Sequence, residues 1–198
     1  MKAILIFIDG TICDTRKRHP LIGTPDFYRP DLLLADRAVP GSAACLNELA
    51  PSYEMVYLGA RPASARPHTE QWLEQMGYPK GALHLAESQA SRLALVRELC
   101  SRYDFIAGIG DRWDDNELHA EIGCLSIILQ EFAGKWETVA GRIDSYHRQW
   151  KIATNRTHLQ GKVEGLARVC PLLLAKYGEQ LWETYFAAVL AMAEDSRQ

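Results

Sequence analysis

The fold of this chain is decided by the stretch Ala3-Ile4-Leu5-Ile6-Phe7-Ile8-Asp9-Gly10-Thr11. Its continuous apolar run, rich in isoleucine, predicts a strand buried on both faces, as in parallel sheets covered by helices. The run ends at Asp9, and Gly10 lets the backbone turn close to a ligand. Open α/β sheets place their chemistry at the carboxyl ends of their strands. Asp9 is therefore predicted to lie in a functional site.

The next part of the chain repeats this pattern of a strand followed by a helix. Further strands are predicted at residues 54–58, 83–85, 104–109 and 125–129, with helices between them. Such alternation implies right-handed crossovers and a parallel sheet. The predicted fold class is α/β, a Rossmann-like doubly wound parallel sheet with a C-terminal helical extension.

Length and composition are those of an ordinary globular chain. The 198 residues are 47% hydrophobic and 24% charged, and the formal net charge is −3. This balance gives no basic footprint, so nucleic-acid binding is not expected. The five cysteines form no C-x-x-C pair, which predicts reduced thiols in a cytoplasmic protein. The sequence shows neither a secretory signal nor an apolar run of the roughly 20 residues that cross a bilayer, so no membrane association is expected.

Polar motifs follow four of these elements in order. They are Phe7-Ile8-Asp9-Gly10-Thr11, then Val56-Tyr57-Leu58-Gly59-Ala60-Arg61-Pro62, then Arg92 in a predicted helix, and Gly110-Asp111-Arg112-Trp113-Asp114-Asp115. In this order the motifs resemble those of the haloacid dehalogenase (HAD) superfamily over residues 2–129. A further pattern, T-x-x-W-L-x-x-x-G, is matched by Thr69, Trp72, Leu73 and Gly77. It is similar to a small-cap subgroup that includes acid phosphatases and the phosphatase domains of polynucleotide kinases.

The resemblance implies a mechanism with defined roles. In the family, one aspartate takes up the phosphoryl group, a second aspartate two residues later acts as acid and base, a hydroxyl and a lysine hold the phosphoryl group, and acids bind Mg²⁺. Carried over to this chain, Asp9 is the acid/base. Phosphate binding falls to Thr11, Gly59, Arg61 and Arg92, with Lys80 as an alternative to Arg92. Metal binding falls to Asp111, Asp115 and the backbone carbonyl of Asp9.

Phe7 stands at the nucleophile position, and Gly59 stands where the family has a hydroxyl. Phenylalanine can neither attack phosphorus nor bind a metal, so Mg²⁺ is expected to bind weakly or not at all. One interpretation is a HAD-fold protein without aspartyl-phosphate chemistry that binds a small phosphorylated ligand or a protein partner. The alternative is a metal-dependent hydrolase of a phosphorylated metabolite or nucleotide that works through Asp9 and Asp111.

The predicted domains are a HAD-like unit at residues 1–130 and a helical extension at residues 131–198 that packs on it. Residues 12–40, rich in proline and containing Arg16-Lys17-Arg18-His19, are predicted to form a short cap loop with at most one short helix. The basic cluster is interpreted either as a phosphate contact or as a solvated turn. Apolar residues at helical spacing predict an amphipathic helix at residues 178–194, which would cover the sheet domain or contact a partner.

Overall fold

The computed structural model describes the backbone of residues 1–153 and the side chains of residues 1–146. Its strands are β1 (Lys2–Phe7), β2 (Cys13–Asp14), β3 (Arg37–Ala38), β4 (Glu54–Gly59), β5 (Gly81–Leu85), β6 (Asp104–Gly110) and β7 (Leu125–Ile128). Its α-helices are α1 (Pro30–Leu34), α2 (Ser42–Leu49), α3 (Arg66–Gln75), α4 (Gln89–Leu99), α5 (Trp113–Glu121) and α6 (Val139–Ala153). Short 3₁₀ helices span Arg16–Leu21, Pro25–Tyr28, Ala63–Ala65 and Trp136–Thr138.

Five strands form one parallel sheet in the order β5-β4-β1-β6-β7. The first strand lies at its centre, where Phe7 pairs with Leu58 of β4 and Ile6 pairs with Ile109 of β6. Because the three strands end in register, the turns that follow them meet at one edge of the sheet. This edge brings together the motifs that begin at Asp9, Gly59 and Asp111.

Side chains of β1 alternate between two hydrophobic layers, as the period of a strand requires. Leu5 and Phe7 belong to a layer that includes Val96 and Leu99 of α4 and Leu118 of α5. Ile4, Ile6 and Ile8 lie in the other layer, with residues of α2 and α3 such as Leu46 and Trp72. Helices therefore cover both faces of the sheet, which confirms the predicted doubly wound α/β architecture.

The cap segment, residues 15–36, is inserted between β2 and β3, which pair antiparallel. It contains two 3₁₀ helices and the short helix α1, where the sequence predicted a loop with at most one short helix. Long-range contacts explain the additional order. Tyr28 donates a hydrogen bond to the carbonyl oxygen of Ala60 (3.0 Å), and the indole of Trp72 donates to the carbonyl oxygen of Asp36 (3.0 Å).

The first compact unit of the chain runs from Met1 to Ile143, and the second from Asp144 to Gln198. Trp136, Val139 and Ile143 are fully buried in the hydrophobic layer that contains Ile4. Residues 131–143, assigned to the extension from the sequence, thus lie within the first unit. The predicted amphipathic helix at residues 178–194, and its packing, lie outside the described residues. No helix within residues 1–153 has the length and apolar character needed to cross a membrane.

Candidate functional site

The candidate site lies at the carboxyl edge of the sheet, where Asp9 follows β1 and Arg61 follows β4. Arg61 donates two hydrogen bonds to the Asp9 carboxylate, from Nε to Oδ2 (2.8 Å) and from Nη2 to Oδ1 (2.6 Å). Arg18, from the cap, donates a third from Nη2 to Oδ1 (3.1 Å). Both oxygens of Asp9 are therefore bound by arginines, and the pair with Arg61 is bidentate, the strongest common geometry for such ions.

This pairing determines the protonation of Asp9. Burial alone would raise the pKa of the Asp9 carboxyl, but the charges of Arg61 and Arg18, with their hydrogen bonds, outweigh it and lower the pKa below its ordinary value. A general acid that serves near neutral pH needs a raised pKa, so that it holds a proton to give. The structure instead holds Asp9 as a partner of two arginines that is ionised at neutral pH.

A second carboxylate, Asp36, completes a buried network beneath the cap. Arg18 Nε donates to Asp36 Oδ2 (2.8 Å), and the Cys13 thiol donates to the same oxygen (3.3 Å). Arg61 also donates to Thr69 Oγ1 (3.0 Å), which gives the threonine of the T-x-x-W-L pattern a positioning role. Arg18 and Arg61 are at most 1% exposed. Two buried cations therefore depend on two nearby carboxylates for neutralisation.

Asp111, at the end of β6, lies directly across from the Asp9 turn. The Thr11 hydroxyl donates a short hydrogen bond to Asp111 Oδ1, and Gly10 presses against the same carboxylate. Gly10 has φ +89°, and a Cβ there would collide with the carboxylate oxygens, so only glycine fits. Asp111 Oδ2 is buried and has no hydrogen-bond partner within residues 1–146.

The environment of Asp111 raises the pKa of its carboxyl, whereas that of Asp9 lowers it. Burial raises the pKa of Asp111 to about 7, against the opposing hydrogen bond from Thr11 and with added repulsion from Asp115. An acid whose pKa rises on folding destabilises the folded state once it ionises. The resulting loss in the free energy of unfolding is absent near pH 4, grows as the pH rises towards 7, and reaches its full size at pH 8.

Asparagine at position 111 is therefore expected to stabilise the protein by about 2–4 kcal/mol at pH 8 and by much less at pH 4. It keeps an oxygen to accept the Thr11 hydroxyl but removes the buried charge. Urea unfolding of Asp111→Asn at both pH values measures the effect. Asp114→Asn, which changes an exposed acid in the first turn of α5, is the control. A gain independent of pH would show that the charge of Asp111 is not its cause.

Phe7, which stands where the resemblance predicts a nucleophile, belongs to the hydrophobic core. The side chain is 5% exposed, and its ring meets the ring of His119 edge-on, with the centroids 5.5 Å apart. His119 is fully buried and lies against Gly108, where a Cβ would overlap the imidazole. Burial lowers the pKa of His119 to about 4, so this ring is neutral at pH 7. Position 7 thus lies in an apolar, uncharged environment.

Gly59 lies at the expected strand end, and a side chain there would be close to two methyl groups. A Cβ at this position would lie 2.9 Å from Leu85 Cδ2 and 3.2 Å from Ile8 Cδ1. A hydroxyl-bearing residue at position 59 would therefore require Leu85 to shift. The structure does not support Lys80 as the alternative to Arg92 in binding phosphate. Lys80 precedes β5, whose first residue pairs with Met55, and so lies at the opposite edge of the sheet.

Arg92 and Asp115 lie on neighbouring helices at the site edge. Arg92 Nη2 donates to Gln89 Oε1 (2.6 Å), while its buried Nε has no hydrogen-bond partner among the described side chains. Asp115 Oδ2 accepts the backbone N–H groups of Asp111 and Arg112 (both 3.1 Å). Its carboxylate therefore caps α5 and orients Asp111. Arg92 retains a free donor, and Asp115 is engaged by the backbone.

These residues do not fit a tight magnesium site. Mg²⁺ prefers near-octahedral oxygen ligands, including one or two carboxylates. The side chain of Asp9 is held by arginines, Asp115 Oδ2 accepts backbone N–H groups, and Phe7 offers no ligand. Asp111 Oδ2, the second oxygen of Asp115 and the backbone carbonyl of Asp9 are the remaining candidate ligands. Among residues 1–146, no three acidic, histidine or cysteine side chains are arranged to hold a metal ion.

Sequence reasoning missed Arg18 and Asp36 as members of the site. Arg18 belongs to the basic cluster at residues 16–19, which was interpreted as a phosphate contact or a solvated turn. Arg16, Lys17 and His19 are indeed exposed, but Arg18 is buried between two carboxylates. The only signal in the sequence was the presence of acids nearby in the chain, which is too common to identify a buried pair.

No family model and no curated protein sequence matches the chain. Solved structures do match it. A class C acid phosphatase from Bacillus anthracis with tungstate bound has 22% identity and a TM-score of 0.53, covering 69% of this chain and 70% of that one. A chain of the Pnkp1/Rnl/Hen1 complex has 17% identity and a TM-score of 0.55, covering 68% of this chain and 46% of that one.

A HAD-like hydrolase, SP0104 from Streptococcus pneumoniae, has 14% identity and a TM-score of 0.52, covering 70% of this chain and 90% of that one. With identities this low, the likeness concerns the fold. The chain has a haloacid dehalogenase-like α/β fold, and the predicted resemblance is confirmed at that level.

Proposed function

We propose that this chain is a HAD-fold protein that binds a small phosphorylated ligand without forming an aspartyl phosphate. The observation that carries the proposal is the state of the two positions on which the chemistry depends. Asp9 is neutralised by Arg61 and Arg18, and Phe7 is packed among apolar side chains. Phe7 cannot act as a nucleophile, and the ionised Asp9 has no proton to give to a leaving group. Both attack on phosphorus and protonation of the leaving group therefore lack the side chain they need.

Arg92 supports the binding part of the proposal. Its guanidinium uses one donor on Gln89 and keeps a buried Nε without a partner among the described residues. A phosphate oxygen satisfies such a donor with a charge-assisted hydrogen bond, and guanidinium matches phosphate geometry well. One structural neighbour is an acid phosphatase with tungstate, a phosphate-like oxyanion, bound. A protein partner bound through the predicted helical extension, residues 131–198, is a further proposal.

A second candidate function is hydrolysis by direct attack of water. Asp111 Oδ2 favours it, because this buried oxygen lacks a partner within residues 1–146 and could accept a proton from a water molecule. Asp9 would then act only by holding Arg61 and Arg18 in place. This candidate requires turnover without a covalent intermediate.

Binding of inorganic phosphate, measured by isothermal titration calorimetry on the full chain, tests the first proposal. We expect Arg92→Gln to weaken binding by about tenfold or more, because a charge-assisted hydrogen bond is lost. Arg97→Gln is the matched control, since Arg97 lies on the same helix but is exposed and paired with Glu121 (2.6 Å). No binding by the unmodified chain, or equal losses in both variants, would reject the proposal.

Turnover of a panel of phosphate esters, with Mg²⁺ supplied, separates the two candidates. The binding function predicts no turnover by the unmodified chain. Turnover that disappears in Asp111→Asn but survives in Asp114→Asn would instead support direct hydrolysis. Mass spectrometry for a phosphorylated protein would reveal a covalent intermediate, which neither candidate allows.

A further inference from the structure

Phe132 has an unusual backbone conformation beside the site. It is the one residue other than glycine within residues 1–153 with a positive φ, at 59°. Its N–H donates a hydrogen bond to the carbonyl oxygen of Gly10 (2.8 Å), in the turn that carries Asp9. A left-handed conformation is costly for a bulky residue and persists only where its surroundings enforce it. The loop after β7 is thus fixed to the Asp9 turn at the expense of backbone strain.

The side chain of Phe132 extends this attachment to the cap. Its ring lies 5.5 Å from the ring of His19, between centroids, and 5.3 Å from the guanidinium carbon of Arg16. Both partners belong to the 3₁₀ helix Arg16–Leu21. Tilted aromatic pairs and cation–π contacts at these distances are each attractive. One residue therefore links the Asp9 turn, through its backbone, to the cap, through its ring.

The same 3₁₀ helix is attached to the site from beneath. Arg18, two residues after Arg16, binds Asp9 and Asp36. With both attachments made, the side chain of Asp9 is 22% exposed and Cys13 is fully buried. The contacts of Arg18 are buried and ionic, whereas those of Phe132 are partly exposed and depend on one aromatic ring.

We propose that Phe132 is a clamp that sets how often the cap segment, residues 15–36, opens away from the Asp9 turn. The clamp consists of the hydrogen bond to Gly10 and the ring contacts with His19 and Arg16. The backbone strain at Phe132 limits the stability of the closed state. When the hydrogen bond to Gly10 breaks, Phe132 can leave the left-handed region, and the release of strain favours opening. Opening exposes the network of Arg18, Asp9 and Cys13.

Amide hydrogen exchange of the full chain tests the clamp. The reporters are the N–H groups of Arg18, Ile22 and Thr24, which bond within the cap to the carbonyl oxygens of Thr15, His19 and Leu21. Because such short 3₁₀ segments are not stable without tertiary contacts, these bonds break when the cap separates from the Asp9 turn. Phe132→Ala, which removes the ring, is expected to accelerate their exchange by about tenfold, since two contacts that are each worth a factor of a few are lost. Exchange in β1 and β6 is expected to change by less than twofold.

A thiol reagent gives a second measurement on the same variants. The Cys13 thiol lies between Arg61 Nη2 (3.4 Å) and Asp36 Oδ2 (3.3 Å) at the base of the cap, so N-ethylmaleimide reaches it only on opening. Its reaction is expected to accelerate by about tenfold in Phe132→Ala, in step with the exchange of the cap amides. Cys45, buried in α2, is the internal control for global unfolding and is expected to react at an unchanged rate.

Two further variants complete the test. Phe132→Gly removes ring and strain together and is expected to open the cap as Phe132→Ala does, while unfolding at a higher urea concentration than Phe132→Ala. Trp113→Ala removes another aromatic side chain at the site edge, 73% exposed, and is expected to leave the cap amides unchanged. The clamp is rejected if both Phe132 variants exchange their cap amides within twofold of the unmodified chain, or if Cys45 accelerates as much as Cys13.

Discussion

Asparagine at position 9 is expected to lower the free energy of unfolding by about 3–5 kcal/mol at pH 7, as removal of one partner of a buried ion pair does elsewhere. The structure pairs the Asp9 carboxylate with two buried arginines, so this carboxylate contributes to stability. Arg18 and Arg61 are at most 1% exposed and would lose their shared anion. Urea unfolding of Asp9→Asn, compared with the unmodified chain, measures the loss.

The pH dependence of that loss identifies its cause. Because folding lowers the pKa of Asp9, its stabilisation is present above the ordinary value of 3.8 and disappears as the pH falls through the folded value. The difference between the unmodified chain and Asp9→Asn should therefore be constant from pH 5 to 8 and narrow below pH 4. Asp26→Asn, an exposed acid of the cap, is the control. A loss below 1 kcal/mol at pH 7 would contradict a structural role.

The Phe7→Asp substitution is expected to lower the free energy of unfolding by about 5 kcal/mol or more. Removing a buried phenylalanine ring costs about 3–5 kcal/mol through lost contacts and a cavity. Burying a carboxylate among Leu5, Leu58 and a neutral His119 adds the penalty of an unpaired charge. This sum approaches the whole stability of a typical domain, about 5–15 kcal/mol, so most of the chain would unfold.

Thermal unfolding followed by circular dichroism measures the effect of Phe7→Asp. Phe7→Leu, which keeps the position apolar and of similar volume, is the control and should cost less than about 1.5 kcal/mol. A Phe7→Asp protein as stable as Phe7→Leu would mean that the new carboxylate reaches the solvent at the site. Such a result would contradict the position of Phe7 within the core.

The sheet and the order of its motifs were predictable because they depend on local patterns. An apolar run such as residues 3–8, followed by Asp-Gly, has few structural solutions, and the alternation of strands and helices limits the topology further. The edge that carries Asp9, Arg61 and Asp111 follows from the parallel register alone. These features need no knowledge of which side chains meet.

The roles of individual side chains at this edge were much less predictable. Arg18 is paired with a carboxylate 18 positions away and looks, in sequence, like its exposed neighbours Arg16 and Lys17. Phe132 lies outside every motif, and its strained backbone depends on a hydrogen bond to Gly10, far away in the chain. Such pairings arise from tertiary structure and leave no periodic signal in a single sequence.

Gly59 couples the end of β4 to the packing of the neighbouring strand. A Cβ at this position would lie 2.9 Å from Leu85 Cδ2 and 3.2 Å from Ile8 Cδ1, both of them methyl groups at the ends of side chains. A larger residue at position 59 therefore requires these methyl groups to move, and Leu85 can do so by changing its rotamer. How well the end of β4 tolerates a hydroxyl thus depends on the conformation of Leu85, so substitutions at positions 59 and 85 are expected to be non-additive.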